Sequence, residues 1–155
     1  MLSRLLVPLL KSNASPKAPA HSINIGSIAA RVATAMGAHA YCSSKAGIDH
    51  LTRTLAHELS PDHILINAIA PGTFPSAMSD WMLEDEAISS QLLAQIPVNR
   101  FGKTEDIAAL AVMIASNASL TGTTIPIDGG LSLRCPILAL QRSMIRSECP
   151  SRKCP

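Results

Sequence analysis

The chain has 155 residues, 47% of them hydrophobic and only 3% aromatic, with a formal net charge of +2. That length suits one domain with a real core, and so small a charge excess gives no electrostatic footprint for nucleic acid. Cys42, Cys135, Cys149 and Cys154 match no metal-ligand spacing, so no metal site is expected, and the pattern points to a reducing, cytoplasmic setting.

In chain order, MLSRLLVPLLKS predicts a helix over residues 2–12. Its apolar run, Leu5 to Leu10, is too short to cross a bilayer, so no membrane partner is expected. A mitochondrial presequence is the alternative to the end of an amphipathic helix. A Ser/Pro/Ala/Lys loop leads to HSINIGS (21–27), a β-branched run ending in Gly-Ser that predicts a buried strand. After a loop over 28–38, a helix is predicted from about 38 to 60, with Ile48, Leu51, Leu55 and Leu59 marking its packed face. Pro61-Asp62 stops it. HILINAIA (63–70) predicts a second buried strand, closed by Pro71-Gly72.

Residues 73–100 form a long segment with short helical pieces, the usual form of a lid or binding loop. Met78, Trp81 and Met82 on it would either line an acyl-chain pocket or simply pack the lid. Thr104 is expected to cap the next helix with its hydroxyl, ahead of an acidic first turn. TTIPIDGG (123–130) predicts a third strand. From Leu131 a loosely attached tail is expected. Strands alternating with helices predict a parallel α/β domain over 1–130 with right-handed crossovers.

Tyr41 and Lys45 are four positions apart in the long predicted helix, hence neighbours on its surface. A free phenol loses its proton near pH 10. An ammonium ~4 Å away stabilises a phenolate by roughly 4 kcal/mol at an effective dielectric of about 20. That device brings a phenol towards the neutral range, where general acid–base exchange is most effective. Ser27, ending the preceding strand, could hold a carbonyl oxygen beside the phenol. A surface pair remains the alternative for Tyr41 and Lys45 alone.

INIGSIA (23–29), YCSSK (41–45), NAIAPGTFPSAM (67–78) and IPIDGG (125–130) together resemble the short-chain dehydrogenase/reductase family, in order and spacing. The wording around 71–78 is most similar to 3-oxoacyl-[acyl-carrier-protein] reductases of the rhamnolipid-biosynthesis type. The resemblance implies a partial Rossmann-like, doubly wound parallel sheet: the last three strands with flanking helices, the N-terminal cofactor half missing. It implies that Tyr41 gives a proton to the substrate carbonyl, that Lys45 supports the phenolate and bonds the nicotinamide ribose, and that Ser27 orients the substrate oxygen. Pro71 and Gly72 would form the wall under the nicotinamide, with the Phe74 backbone and the Ser76 hydroxyl near its carboxamide. NADP(H) is the implied cofactor, with NAD(H) as the alternative, and the substrate a small carbonyl compound or acyl thioester. A homo-oligomer through the helix of Tyr41 and Lys45 is also implied.

Three features of that family are absent from the sequence: the Gly-rich TGxxxGxG turn that cradles the cofactor pyrophosphate, the NNAG strand end, and a catalytic Asn on the helix before the strand of Ser27. The first expectation is therefore a carbonyl reductase in which these residues are part of a longer enzyme. The alternative is a catalytically inert fragment serving as an interaction module, or an incomplete gene assignment.

Overall fold

An apolar run interrupted only by Asn67 suits a strand covered on both faces, and this is what Ile64–Pro71 becomes. The computed structural model describes residues 2–33 and 37–133, so the predicted tail from residue 134 on, with Cys135, Cys149 and Cys154, lies outside the described residues. Three parallel strands lie in the order β1 (Ala20–Ile25), β2 (Ile64–Pro71) and β3 (Thr124–Ile127). Around them run α1 (Leu2–Asn13), α2 (His39–Leu59), α3 (Asp80–Glu84), α4 (Glu86–Leu93) and α5 (Thr104–Ala115).

Every residue of β2 before Pro71 is buried, and both α2 and α5 pack on the strand. Ile64 and Ile66 join Ala56 and Leu59 of α2, with Val7 and Leu10 of α1 closing the cluster. Leu65, Asn67 and Ile69 take the opposite face, as the two-residue period of a strand demands. There the Asn67 amide donates to Leu120 O (2.7 Å) and accepts from Thr123 N–H (3.1 Å), pinning the turn that enters β3. Ile64, Ile69 and Ile114 are fully buried, each contributing roughly 1.5–3 kcal/mol of hydrophobic stabilisation. Among the described residues β1 pairs only with β2, so its other edge is open.

Four local expectations shift. The first strand, expected buried over residues 21–27, ends at Ile25 and is only partly buried, with Ile25 52% exposed. The third strand stops at Ile127, because Gly129 (φ 62°) and Gly130 (φ 86°) turn left-handed and lie under Ile96, Pro97 and Val98, where a Cβ would collide. Lys103, not Thr104, caps α5. The Asp106 carboxylate accepts from Lys103 N–H (2.9 Å) and from the Arg100 guanidinium (2.7 Å), so a carboxylate rather than a hydroxyl organises that terminus. Finally, His63 enters β2 in the left-handed region (φ 58°), outside the strand predicted to include it.

Candidate active site

Parallel strands bring their carboxyl ends to one rim, which is where open α/β sheets bind ligands. Gly26 N–H donates to Ile69 O (2.7 Å) and Gly72 N–H to Ile127 O (3.0 Å), so the chain leaves β1 and β2 still tied to the neighbouring strand. Gly72 is required by close approach: an added Cβ would lie 2.7 Å from Cβ and 2.8 Å from Cα of Asp128. Ser27, Pro71, Gly72 and Asp128 thus stand on one rim, as the parallel register requires.

Ser27 is buried and opens a 3-10 turn, Ile28–Ala30, its Oγ accepting from Ala29 N–H at 3.1 Å. A hydroxyl so used keeps its own proton to donate. The turn packs against α2. From α2, Lys45 Nζ donates to Ile25 O at 3.0 Å and lies 5.6 Å from the centroid of the Tyr41 ring, within the range of a cation–π contact. An ammonium has three donors, and one is spent here. Tyr41 and Lys45 are half-buried, and Ser44 Oγ donates to Tyr41 O (2.7 Å).

The face of α2 carrying Lys45 continues through Asp49 and Thr52, spacings of four and three that keep a helix face in line. Asn24 Nδ2 donates to Thr52 Oγ1 (2.9 Å), and Thr52 Oγ1 to Ile48 O (2.8 Å). The buried Asp49 accepts from Arg31 Nη2 (3.1 Å), Arg31 Nε (3.4 Å) and Arg53 Nη1 (3.2 Å). Burial pushes its carboxyl up. The nearby Thr124 hydroxyl, although short of a complete hydrogen bond, and the guanidinium groups of Arg31 and Arg53 outweigh that and hold it below the ordinary carboxylate value. Asp128 is similar: burial raises it, but Ser132 and the backbone N–H groups of Ser132 and Gly130 leave it lowered.

Phe74 and Ser76 sit at the base of the 73–100 segment. The Phe74 ring covers Gly102, leaving no room for a Cβ there. Ser79, which the sequence reading missed, is buried and donates to Phe74 O (2.7 Å), with its hydroxyl 3.1 Å from that of Ser76. A cavity of about 230 Å³ opens beside Phe74, walled by Ile96, Val98, Arg100, Ile127 and Asp128 among others. Ser27, Tyr41, Lys45, Pro71, Gly72 and Ser76 are not among its walls. Among the described residues no group of three His, Cys, Asp or Glu could hold a metal, and no helix is long and apolar enough to cross a membrane.

A family model described as enoyl-(acyl carrier protein) reductase matches residues 1–132. The chain is 46% identical, over 130 residues, to the rhamnolipids biosynthesis 3-oxoacyl-[acyl-carrier-protein] reductase of Pseudomonas aeruginosa, covering 83% of this chain and 51% of that protein. Its structure resembles that of the Pseudomonas aeruginosa RhlG/NADP active-site complex with a TM-score of 0.80 at 45% identity, over 83% of this chain and 51% of the other. A short-chain type dehydrogenase/reductase from Mycobacterium ulcerans gives a TM-score of 0.74 at 28% identity, over 84% and 46%. The chain spans about half the length of these relatives. The predicted partial Rossmann-like sheet is the fold observed, and the chain belongs to the short-chain dehydrogenase/reductase family.

Proposed function

We propose that the chain carries the carbonyl-reducing site of an NADP(H)-dependent reductase acting on 3-oxoacyl thioesters or related ketones. One observation carries the reading: the Lys45 ammonium is anchored on Ile25 O at the rim of β1, beside the Tyr41 ring and two residues from Ser27. In this reading the Ser27 hydroxyl donates to the substrate carbonyl oxygen, and the Tyr41 hydroxyl delivers a proton to it. Lys45 compensates the phenolate left behind and offers its remaining donors to ribose hydroxyls. NADPH, when bound, supplies the hydride that completes reduction to the alcohol. The preference for NADP(H) over NAD(H) is supported by the relative whose NADP complex is known.

The residues present fit the nicotinamide end of such a cofactor, where Lys45 has donors to spare and Pro71 and Gly72 form the rim. They do not fit its pyrophosphate end. The paired Gly129 and Gly130 pack under residues 96–98, and among the described residues no glycine-rich turn joins a strand to a helix N-terminus. Exposed Met78 and Trp81 on the lid suit an apolar acyl chain. A second copy would dock on the exposed small residues Ser43, Ala46 and Gly47 of α2.

A non-catalytic interaction module is the second reading, favoured by the open edge of β1. NADPH oxidation by the full chain with a 3-oxoacyl thioester separates the two. The reductase reading expects turnover that depends on the thioester and falls at least about 100-fold in Tyr41→Phe, the scale of general acid catalysis. A folded chain without turnover, or a Tyr41→Phe variant as active as wild type, would overturn it.

A further inference from the structure

The residue after the turn opened by Ser27 is Arg31, and its guanidinium reaches across to α2. There it meets Asp49 through two nitrogens, Nη2 to Oδ1 at 3.1 Å and Nε to Oδ2 at 3.4 Å. Arg53, one helical turn on, holds the same carboxylate at 3.2 Å. Asp49 is 9% exposed, whereas Arg31 and Arg53 are about half exposed at the side chain. A carboxylate taken out of water this far needs such partners, and forked, charge-assisted contacts fix orientation as well as energy.

We infer that Asp49 is a positioning residue: it clamps the Ser27 turn to α2 through Arg31 and so sets the Ser27 hydroxyl relative to Tyr41 and Lys45. The reaction to which this matters rests on the reductase reading above; the clamp itself does not. The geometry supports this role in a specific way. Among the described residues, polar ties from α2 to the end of β1 and the turn beyond it include Thr52 to Asn24, Lys45 to Ile25 O, and Asp49 to Arg31. The first two act on the strand, which already has its ladder to β2. Among the described residues the third is the one that reaches the turn, where Ala29 N–H donates to Ser27 Oγ, Ala30 N–H to Ser27 O, and Arg31 and Val32 N–H to Ile28 O. A short 3-10 turn has poor hydrogen-bond geometry and little stability of its own. Without Asp49, Ser27 would keep its place in sequence but lose its fixed direction.

The test is amide hydrogen exchange on the full chain, comparing wild type with Asp49→Asn, which preserves shape and removes the charge. Asp62→Asn, which breaks the remote Lys11–Asp62 pair, is the control. Exchange at Ala29, Ala30, Arg31 and Val32 should quicken roughly tenfold in Asp49→Asn only, with the β2 amides unchanged, because a local opening becomes easier while the core does not. Unchanged exchange at 29–32, or an equal rise across β2, would overturn the assignment.

Turnover of a 3-oxoacyl thioester adds the functional readout. Asp49→Asn should lower kcat roughly tenfold and leave the KM for NADPH unmoved. Arg31→Gln should do the same, and the double variant should be no worse than either, as expected of a single unit. A kcat equal to that of wild type, or additive losses, would overturn the positioning role. A folded wild-type chain without turnover refutes the reductase reading alone, and the exchange at 29–32 then decides the clamp by itself.

Discussion

Replacing Gly72 with alanine should open the junction between β2 and β3. The new methyl group would stand 2.7 Å from Asp128 Cβ and 2.8 Å from Asp128 Cα, against a normal carbon contact of about 3.5–4.0 Å. Asp128 cannot step aside easily, because Gly130 and Ser132 N–H groups bind its carboxylate at 2.9 and 2.7 Å. The strands must separate, at a cost of roughly 1–3 kcal/mol for overpacking. The Gly72 N–H to Ile127 O bond, 3.0 Å long, then stretches, adding about 1 kcal/mol. Together the loss is about 2–4 kcal/mol, which at about 2–4 °C per kcal/mol lowers Tm by roughly 4–16 °C. Thermal melting followed by far-UV circular dichroism measures this directly. A Tm within a degree of wild type would mean that the two strand ends do not approach as described.

Asn67→Leu should cost about 2–5 kcal/mol in urea unfolding, since Leu120 O and Thr123 N–H, both bonded to the fully buried amide, lose their partner. Ile114→Ala should cost about 2–5 kcal/mol, because its site at 0% exposure leaves a cavity that its neighbours fill only in part. The lowered Asp49, Asp106 and Asp128 carboxyls each stabilise the fold above the unfolded carboxylate value of about 3.9, and this stability disappears as pH falls through their lower folded-state values. The urea midpoint should therefore drop between pH 5 and acid conditions, and drop less in Asp49→Asn than in wild type; equal drops would refute the Asp49 part.

The sheet was legible because glycine or proline punctuates the chain around each strand, and the order of elements admits few parallel topologies. The positions of Ser27, Pro71 and Gly72 at strand ends followed from the same punctuation. The Tyr41–Lys45 spacing showed that they share a helix face, but not that Lys45 would anchor on Ile25 O, a contact twenty residues away along the chain. Asp49 was equally present, four residues beyond Lys45, yet a carboxylate on a helix that also carries arginine reads as a solvated pair until burial is known. Ser79 carried no signal at all: its role depends on how the 73–100 segment folds back over Phe74. A hydroxyl before acidic residues, as at Thr104, is the commoner capping device, whereas here Arg100 and Asp106 settle the terminus of α5 between them.

Fluorescence titration of NADPH into the full chain, beside the Lys45→Ala variant, tests the central claim most directly. The reductase reading predicts saturable binding that weakens at least about tenfold without the ammonium, the loss of roughly 1.4 kcal/mol expected for a charged hydrogen-bond donor. A folded chain that shows no saturable binding, or one whose affinity is indifferent to Lys45, would contradict it.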